Sequence, residues 1–209
     1  MQFQTKSKTL ETLRSSLKNA KVLPVFSFDV HSWNDNSKNI LNDILEKAWA
    51  SKPVVVRSSA IAEDSTSESL AGHFESILNV SGKNEIKEAI NDVIASYTDN
   101  NPSNEVFIQP MLEDVQKSGV LFTRDPSNSS HYYVINYDES SGKTDTVTAG
   151  TSDELKTLYI VKTVNAEEKS WANELILLAK ELEVLFTCDH LDIEFAFNKK
   201  NELFLFQVR

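Results

Sequence analysis

Leu191-Asp192-Ile193-Glu194-Phe195-Ala196-Phe197 and, beyond Asn198-Lys199-Lys200-Asn201, Leu203-Phe204-Leu205-Phe206-Gln207-Val208-Arg209 form the last two apolar runs of the chain. Side chains alternate along a strand, so Leu191, Ile193, Phe195 and Phe197 share one face while Asp192 and Glu194 share the other. The second run reads as the partner strand of a hairpin with a four-residue loop. Strict alternation puts Gln207 and Arg209 on one face with Leu203 and Leu205. Pairing is expected to set Glu194 opposite Gln207 and Asp192 opposite Arg209. Two carboxylates, an amide oxygen and a guanidinium would then converge. Hard cations take oxygen ligands of this kind, and Mg²⁺ commonly binds one or two carboxylates plus substrate phosphates. An ordinary two-faced strand with a cross-strand salt bridge fits the same spacing, and spacing alone leaves both open.

Outward from this hairpin, strands and helices interleave irregularly. Pro53-Val54-Val55-Val56-Arg57 is short, β-branched and proline-led, which predicts a buried strand. Further strands are expected near 105–110, 118–123, 131–137, 145–149 and 157–164. Leu10, Leu13 and Leu17 mark a helix over 9–19. Ile40, Leu41, Ile44, Leu45 and Ala48 mark another over 37–50, and Ile86, Ala89, Ile90, Val93, Ile94 and Tyr97 a third. Asn165, with Glu168 in the box position, is expected to cap a long helix whose buried face carries Trp171, Leu175, Leu178, Leu182 and Leu185. Residues 22–26 read as an apolar connector broken by Pro24. With no repeat and no linker, the pattern predicts one α+β domain over 1–209 rather than a doubly wound sheet.

Composition narrows the function. The 209 residues include 21 Lys plus Arg against 31 Asp plus Glu, a formal net charge of −10. So acidic a surface repels phosphate backbones and argues against a nucleic-acid partner, although one basic cluster suffices to hold a nucleotide. The single Cys188 excludes a disulfide framework within the chain and a multi-cysteine zinc site. A reducing, cytoplasmic setting fits. The opening residues lack the apolar core of a signal peptide, and no apolar run reaches the ~18 residues that span a bilayer, so no membrane partner is expected. The 5 glycines cannot build a Walker A loop or G-x-G-x-x-G.

Arg57 is the second chemical feature. It closes an all-valine strand and precedes Ser58-Ser59-Ala60, which places a fixed cation beside hydroxyls and backbone amides suited to a phosphate. A strand-end arginine reaching to solvent fits equally well. Glu63-Asp64 reads as solvated surface. His31, His73, His131 and His190 show no ligand spacing, and Cys188 with His190 is too little for a nucleophile–base pair. The Lys6 and Lys8 pair is unremarkable alone.

Four ordered blocks nevertheless resemble the nucleotide-binding domain of the phosphoenolpyruvate synthase and pyruvate phosphate dikinase family. The first is Val56-Arg57-Ser58-Ser59-Ala60-Ile61-Ala62-Glu63-Asp64, continued by Leu70-Ala71-Gly72-His73-Phe74-Glu75-Ser76-Ile77-Leu78-Asn79-Val80. The second is Phe107-Ile108-Gln109-Pro110-Met111. The third is Ser118-Gly119-Val120-Leu121-Phe122-Thr123-Arg124-Asp125-Pro126. The closing hairpin is the fourth. The resemblance implies an ATP-grasp fold, with two lobes clamping ATP, and roles for the matching positions. Arg57 and Lys6 would hold ATP phosphates, and Gln109 and Met111 would lie along the adenine. Glu194 and Gln207 would hold Mg²⁺ with Asp192 in support, and Arg209 would stabilise the phosphoryl group in transfer.

The departures also carry expectations. The family opens with two glycines before its lysine; here Gln4-Thr5 precede Lys6, without the close backbone approach that glycine permits. Asp145 takes the place of a family glutamate in cofactor binding. Family members pass phosphate to a histidine on a swivelling domain and then to an acceptor domain, and no histidine here matches that motif. The chain is therefore expected to be the nucleotide-binding part of a longer enzyme whose phosphohistidine and acceptor domains lie downstream. The opening and residues 135–145 are similar to divergent members found with bacterial capsule genes, including enzymes resembling L-glutamine kinase. The alternative from a different class is a regulatory module that holds nucleotide without catalysis.

Overall fold

A computed structural model describes residues 1–60, 76–99, 101–142, 155–162 and 170–209. The chain divides into two compact units, each assembled from discontinuous stretches. One comprises Gln4–Glu11 and Leu23–Met111, the other Met1–Phe3, Thr12–Val22 and Leu112–Arg209. Helix α1, Lys6–Ser16, contributes to both.

The Leu23–Met111 unit carries β1 (Phe26–Asp29), α2 (Val30–Leu45), β2 (Val54–Ser59), β3 (Ser76–Val80), α3 (Gly82–Ala95) and β4 (Glu105–Pro110). Its antiparallel sheet runs β1-β4-β2-β3. Alternation gives this sheet two unlike faces. Val54, Val56, Val106 and Ile108 enter a core with Trp33, Leu41 and Ile44 of α2 and Ile86, Ala89, Ile90 and Val93 of α3. Val55, Arg57 and Ser59, opposite Gln109, Phe107 and Glu105, fall on the other face.

The Leu112–Arg209 unit carries β5 (Val115–Phe122), β6 (Tyr132–Asp138), β7 (Lys156–Val161), α4 (Trp171–Phe186), β8 (Asp192–Asn198) and β9 (Leu203–Val208). Its strands run β7-β6-β5-β8-β9, all antiparallel. Trp171 of α4 packs on Tyr137 and Phe197, and Glu183 of α4 receives Tyr133 Oη at 3.2 Å, so α4 covers the face bearing Tyr133, Tyr137 and Phe197. The opposite face carries Asp192 and Glu194, in rows with Phe122 and Val120. Gly119 sits where β5 and β6 approach so closely that a Cβ would lie 2.2 Å from the carbonyl oxygen of Asn136.

The α+β expectation holds, and several element boundaries move. Phe26, expected to end a connector over 22–26, instead opens β1, because Phe26 and Phe28 pack on the core and pair with Ile108 and Val106. β3 was not foreseen in the Phe74–Val80 block. α2 begins seven residues before the expected start at 37: Asp29 caps it, Oδ1 accepting from Ser32 N at 2.6 Å, and Trp33 is buried. Backbone at Asn36 departs from helical geometry and interrupts the periodicity there. α1 starts at Lys6 rather than residue 9. α4 is capped by Ser170, whose Oγ accepts from Asn173 N at 3.3 Å, rather than from Asn165. Asn165, Glu168, the strand expected at 145–149, Glu63, Asp64 and His73 lie outside the described residues.

Candidate functional site

In the Leu23–Met111 unit the candidate residues Arg57 and Gln109 lie on the face that the aliphatic core does not claim. Arg57 lies beside Phe107, its guanidinium carbon 5.6 Å from the ring centroid, and its Nε donates to Ser76 Oγ at 3.4 Å. An arginine braced on a ring keeps its charge while its orientation is fixed. Gln109 is 1% exposed; its Nε2 donates to Leu23 O at 3.4 Å, while its buried Oε1 has no hydrogen-bond partner among the described residues. Met111 follows β4 and donates its backbone N–H to Pro53 O at 3.0 Å. The backbone donor of Met111, which the resemblance would lay along the adenine, is thus engaged by the residue just before β2.

Lys6 opens α1 between Thr5 and Ser7. A residue that the sequence did not single out organises this segment. Glu105, 7% exposed, accepts Thr5 Oγ1 at 2.7 Å and Ser7 Oγ at 2.5 Å through Oε2, and pairs with Lys8 Nζ at 2.6 Å through Oε1. Burial pushes the Glu105 carboxyl upward most strongly, but the bonds from Lys8, Ser7 and Thr5 together outweigh it and leave the group below the ordinary glutamate value. Ser7 N donates to Ser59 Oγ at 3.2 Å; Tyr97 Oη donates to Glu105 O and accepts from Ser59 N. A lone glutamate after a turn reads as solvated surface, and no local pattern could have exposed a contact spanning ~100 residues.

In the Leu112–Arg209 unit, Glu194 pairs with Gln207 in register, as the spacing predicts. Asp192 and Arg209 exchange backbone bonds at 2.8 and 3.0 Å, and Asp192 Oδ2 accepts Arg209 Nε at 3.0 Å with Nη2 at 2.9 Å. The route to this register differs from the expectation. The turn has three residues, Lys199, Lys200 and Asn201, with Asn201 left-handed at φ 57° and Asn198 N bonded to Glu202 O. A bulge then skips one residue, because Glu194 faces Gln207 while Phe195 faces Leu205. The extra residue is Phe206. It reverses the alternation, so Leu203 and Leu205 join the buried face and Gln207 and Arg209 join Asp192 and Glu194. The expectation that Gln207 and Arg209 share a face with Leu203 and Leu205 is therefore overturned.

Glu194 and Gln207, opposite each other in register, bring a carboxylate and an amide to one face, a donor set that suits a hard cation also held by phosphate. Asp192 gives its Oδ2 to Arg209, which fits a supporting place beside the cation. Two of the three guanidinium nitrogens of Arg209 bind Asp192, fixing the group's direction. Among the described residues no cluster of three His, Cys, Asp or Glu side chains is arranged to hold a metal alone. Asp145 lies outside the described residues.

A family model described as the pyruvate phosphate dikinase AMP/ATP-binding domain matches residues 31–154. The chain belongs to that family. The match to this dikinase domain includes Arg57, Gln109, Met111 and Asp145. The phosphoenolpyruvate synthase of Neisseria meningitidis serogroup B is 31% identical over 169 residues, covering 68% of this chain and 21% of that protein. A probable phosphoenolpyruvate synthase of Archaeoglobus fulgidus is 30% identical over 187 residues, covering 72% of this chain and 24% of that one. The chain thus spans about a quarter or less of these relatives' length. Among solved structures, D-alanine–D-alanine ligase from Helicobacter pylori aligns with TM-score 0.56 at 14% identity, over 98% of this chain and 53% of that one. An L-amino acid ligase from Bacillus licheniformis aligns with TM-score 0.56 at 13% identity, over 98% and 42%. These likenesses establish the ATP-grasp fold for this member of the dikinase domain family. Among the described residues no helix is long and apolar enough to cross a membrane.

Proposed function

We propose that the chain binds ATP with Mg²⁺ and supplies the phosphoryl group for transfer, as the nucleotide-binding part of a phosphoenolpyruvate synthase-like phosphotransferase. The observation that supports this best is the hairpin register, which pairs Glu194 with Gln207 beside the oriented Arg209. Lys6 and Arg57 hold phosphates, and Gln109, Met111 and Asp145 hold the rest of the nucleotide. Glu194 and Gln207 hold the metal, and Asp192 aims Arg209 at the transferring group. Bound there, Mg²⁺ would neutralise charge on the phosphate oxygens. The phosphate passes to a histidine on a downstream swivelling domain and then to an acceptor domain of the same enzyme. The setting is cytoplasmic.

Calorimetry tests the assignment. Glu194→Ala and Gln207→Ala should weaken Mg·ATP binding far more than metal-free ATP binding. Equal losses in both titrations would make the pair structural and end the metal reading. The substitution of Gln4-Thr5 for the family glycines favours a second reading, a module that holds nucleotide without transfer. The two diverge at Arg209→Lys in the enzyme that contains this chain. The transfer reading expects turnover to fall by orders of magnitude with little change in ATP affinity, because lysine loses the planar fork that grips two phosphate oxygens. The holding reading expects no turnover to lose.

A further inference from the structure

We propose that Glu105 is a positioning residue for Lys6: its carboxylate grips the residues on either side of that lysine and fixes the opening segment against the strand that bears Arg57. This rests on the assignment of Lys6 to the ATP phosphates. Thr5 and Ser7, the immediate neighbours of Lys6, and Lys8, one residue further on, all reach one carboxylate, at 2.7, 2.5 and 2.6 Å. Burying a carboxylate is costly unless its lone pairs are filled. Here the donors come from a single short segment, so the charge is satisfied only when that segment is in place.

Two further features tie the same knot. The first turn of α1 has no acidic residue of its own. A helix N-terminus favours a negative charge, and Glu105 supplies one from β4. Ser59 faces Glu105 across the sheet and also accepts the amide of Ser7 at 3.2 Å. Ser59 lies two residues beyond Arg57 on the same face of β2. One carboxylate therefore sets the place of α1's first turn relative to the strand end that presents Arg57. Tyr97 bridges the backbones of Glu105 and Ser59, which holds the β2 and β4 ends together beneath the carboxylate.

The test is a double-mutant cycle read by calorimetry of Mg·ATP on the whole chain, with thermal midpoints measured alongside. Glu105→Gln alone should weaken binding about tenfold, the scale of losing charge-assisted bonds, and Lys6→Ala should also weaken it. In the Lys6→Ala background, Glu105→Gln should cost less than about threefold more, because the lysine that it positions is gone. Thr5→Val with Ser7→Ala breaks the same bonds from the donor side. That variant should show the same dependence on Lys6, and it decides the matter if Glu105→Gln fails to fold. Losses that multiply in full would make Glu105 structural and overturn the inference while leaving the ATP assignment intact. A wild-type chain that does not bind Mg·ATP would overturn both.

Discussion

Gly119 shows how little room one residue can have. A Cβ there would meet the carbonyl oxygen of Asn136 at 2.2 Å and Tyr137 Cα at 2.9 Å, both backbone atoms of the neighbouring strand. Neither can move without parting β5 from β6. Gly119→Ala should therefore lower stability by about 3 kcal/mol, at the upper end for overpacking. Urea denaturation reads it as a lower midpoint with an unchanged slope; a midpoint like that of the wild type would mean that the strands separate easily. At this scale the sequence was uneven as a guide. Asp192 and Glu194 could be placed on one face by strand alternation, and Arg57 by its position at the end of a valine strand, both local signals. Alternation put Gln207 on the wrong face, because it carries no sign of the bulge. Glu105 could not, because its partners Thr5, Ser7 and Lys8 are brought to it only by the fold.

Elements were legible where periodicity was long. β4 spans the expected 105–110, and the cores of α3 and α4 were marked by their aliphatic stripes. β1 has four residues, too few for alternation to stand out from a connector. The start of α2 was missed because its first turn is set by a cap rather than by apolar spacing. Asp29 accepts from Ser32 N, and the bonds that it receives, foremost the one from that backbone amide, hold its carboxyl below the ordinary aspartate value. Asp29→Ala should cost about 1 kcal/mol, measured by chemical denaturation, while Asp29→Asn should recover most of it. An alanine variant as stable as the wild type would show that Trp33 and its neighbours hold the first turn unaided.

Across the molecule, acid should be felt first through carboxylates that bridge elements. Glu139, just past β6, pairs with Lys117 of β5 and Lys156 of β7. Hydrogen bonds from those two lysines lower its carboxyl from 4.5 to about 2. A carboxyl depressed in the folded state stabilises above its unfolded value and loses that contribution as pH falls through its folded one. The window is therefore from about pH 4.5 down to about pH 2. Wild type and Glu139→Gln should differ in urea midpoint at pH 7 and converge near pH 2; a gap persisting at pH 2 would place the effect in packing. High salt should narrow the gap at neutral pH, since the pairs lie at the surface. The division into two units was legible only through the family resemblance, which implies two lobes, and not from composition. Both are woven from separate stretches, so no linker composition announces a boundary.

The bulge at Phe206 makes the terminal strand count in odd numbers. Because that one residue switches sides, every position after it is out of step with every position before it. Straightening the bulge so that Phe206 takes the place opposite Glu194 would keep each named side chain and still turn Gln207 and Arg209 toward α4, exchanging them with Val208, whereas deleting Phe206 would leave Gln207 opposite Glu194. Lengthening the turn at Lys199–Asn201 would leave the parity beyond Leu203 untouched. Anyone transplanting this pair of strands into another protein must therefore carry the phenylalanine and its bulge together or neither, since the phenylalanine without the bulge would turn the polar residues to the wrong side.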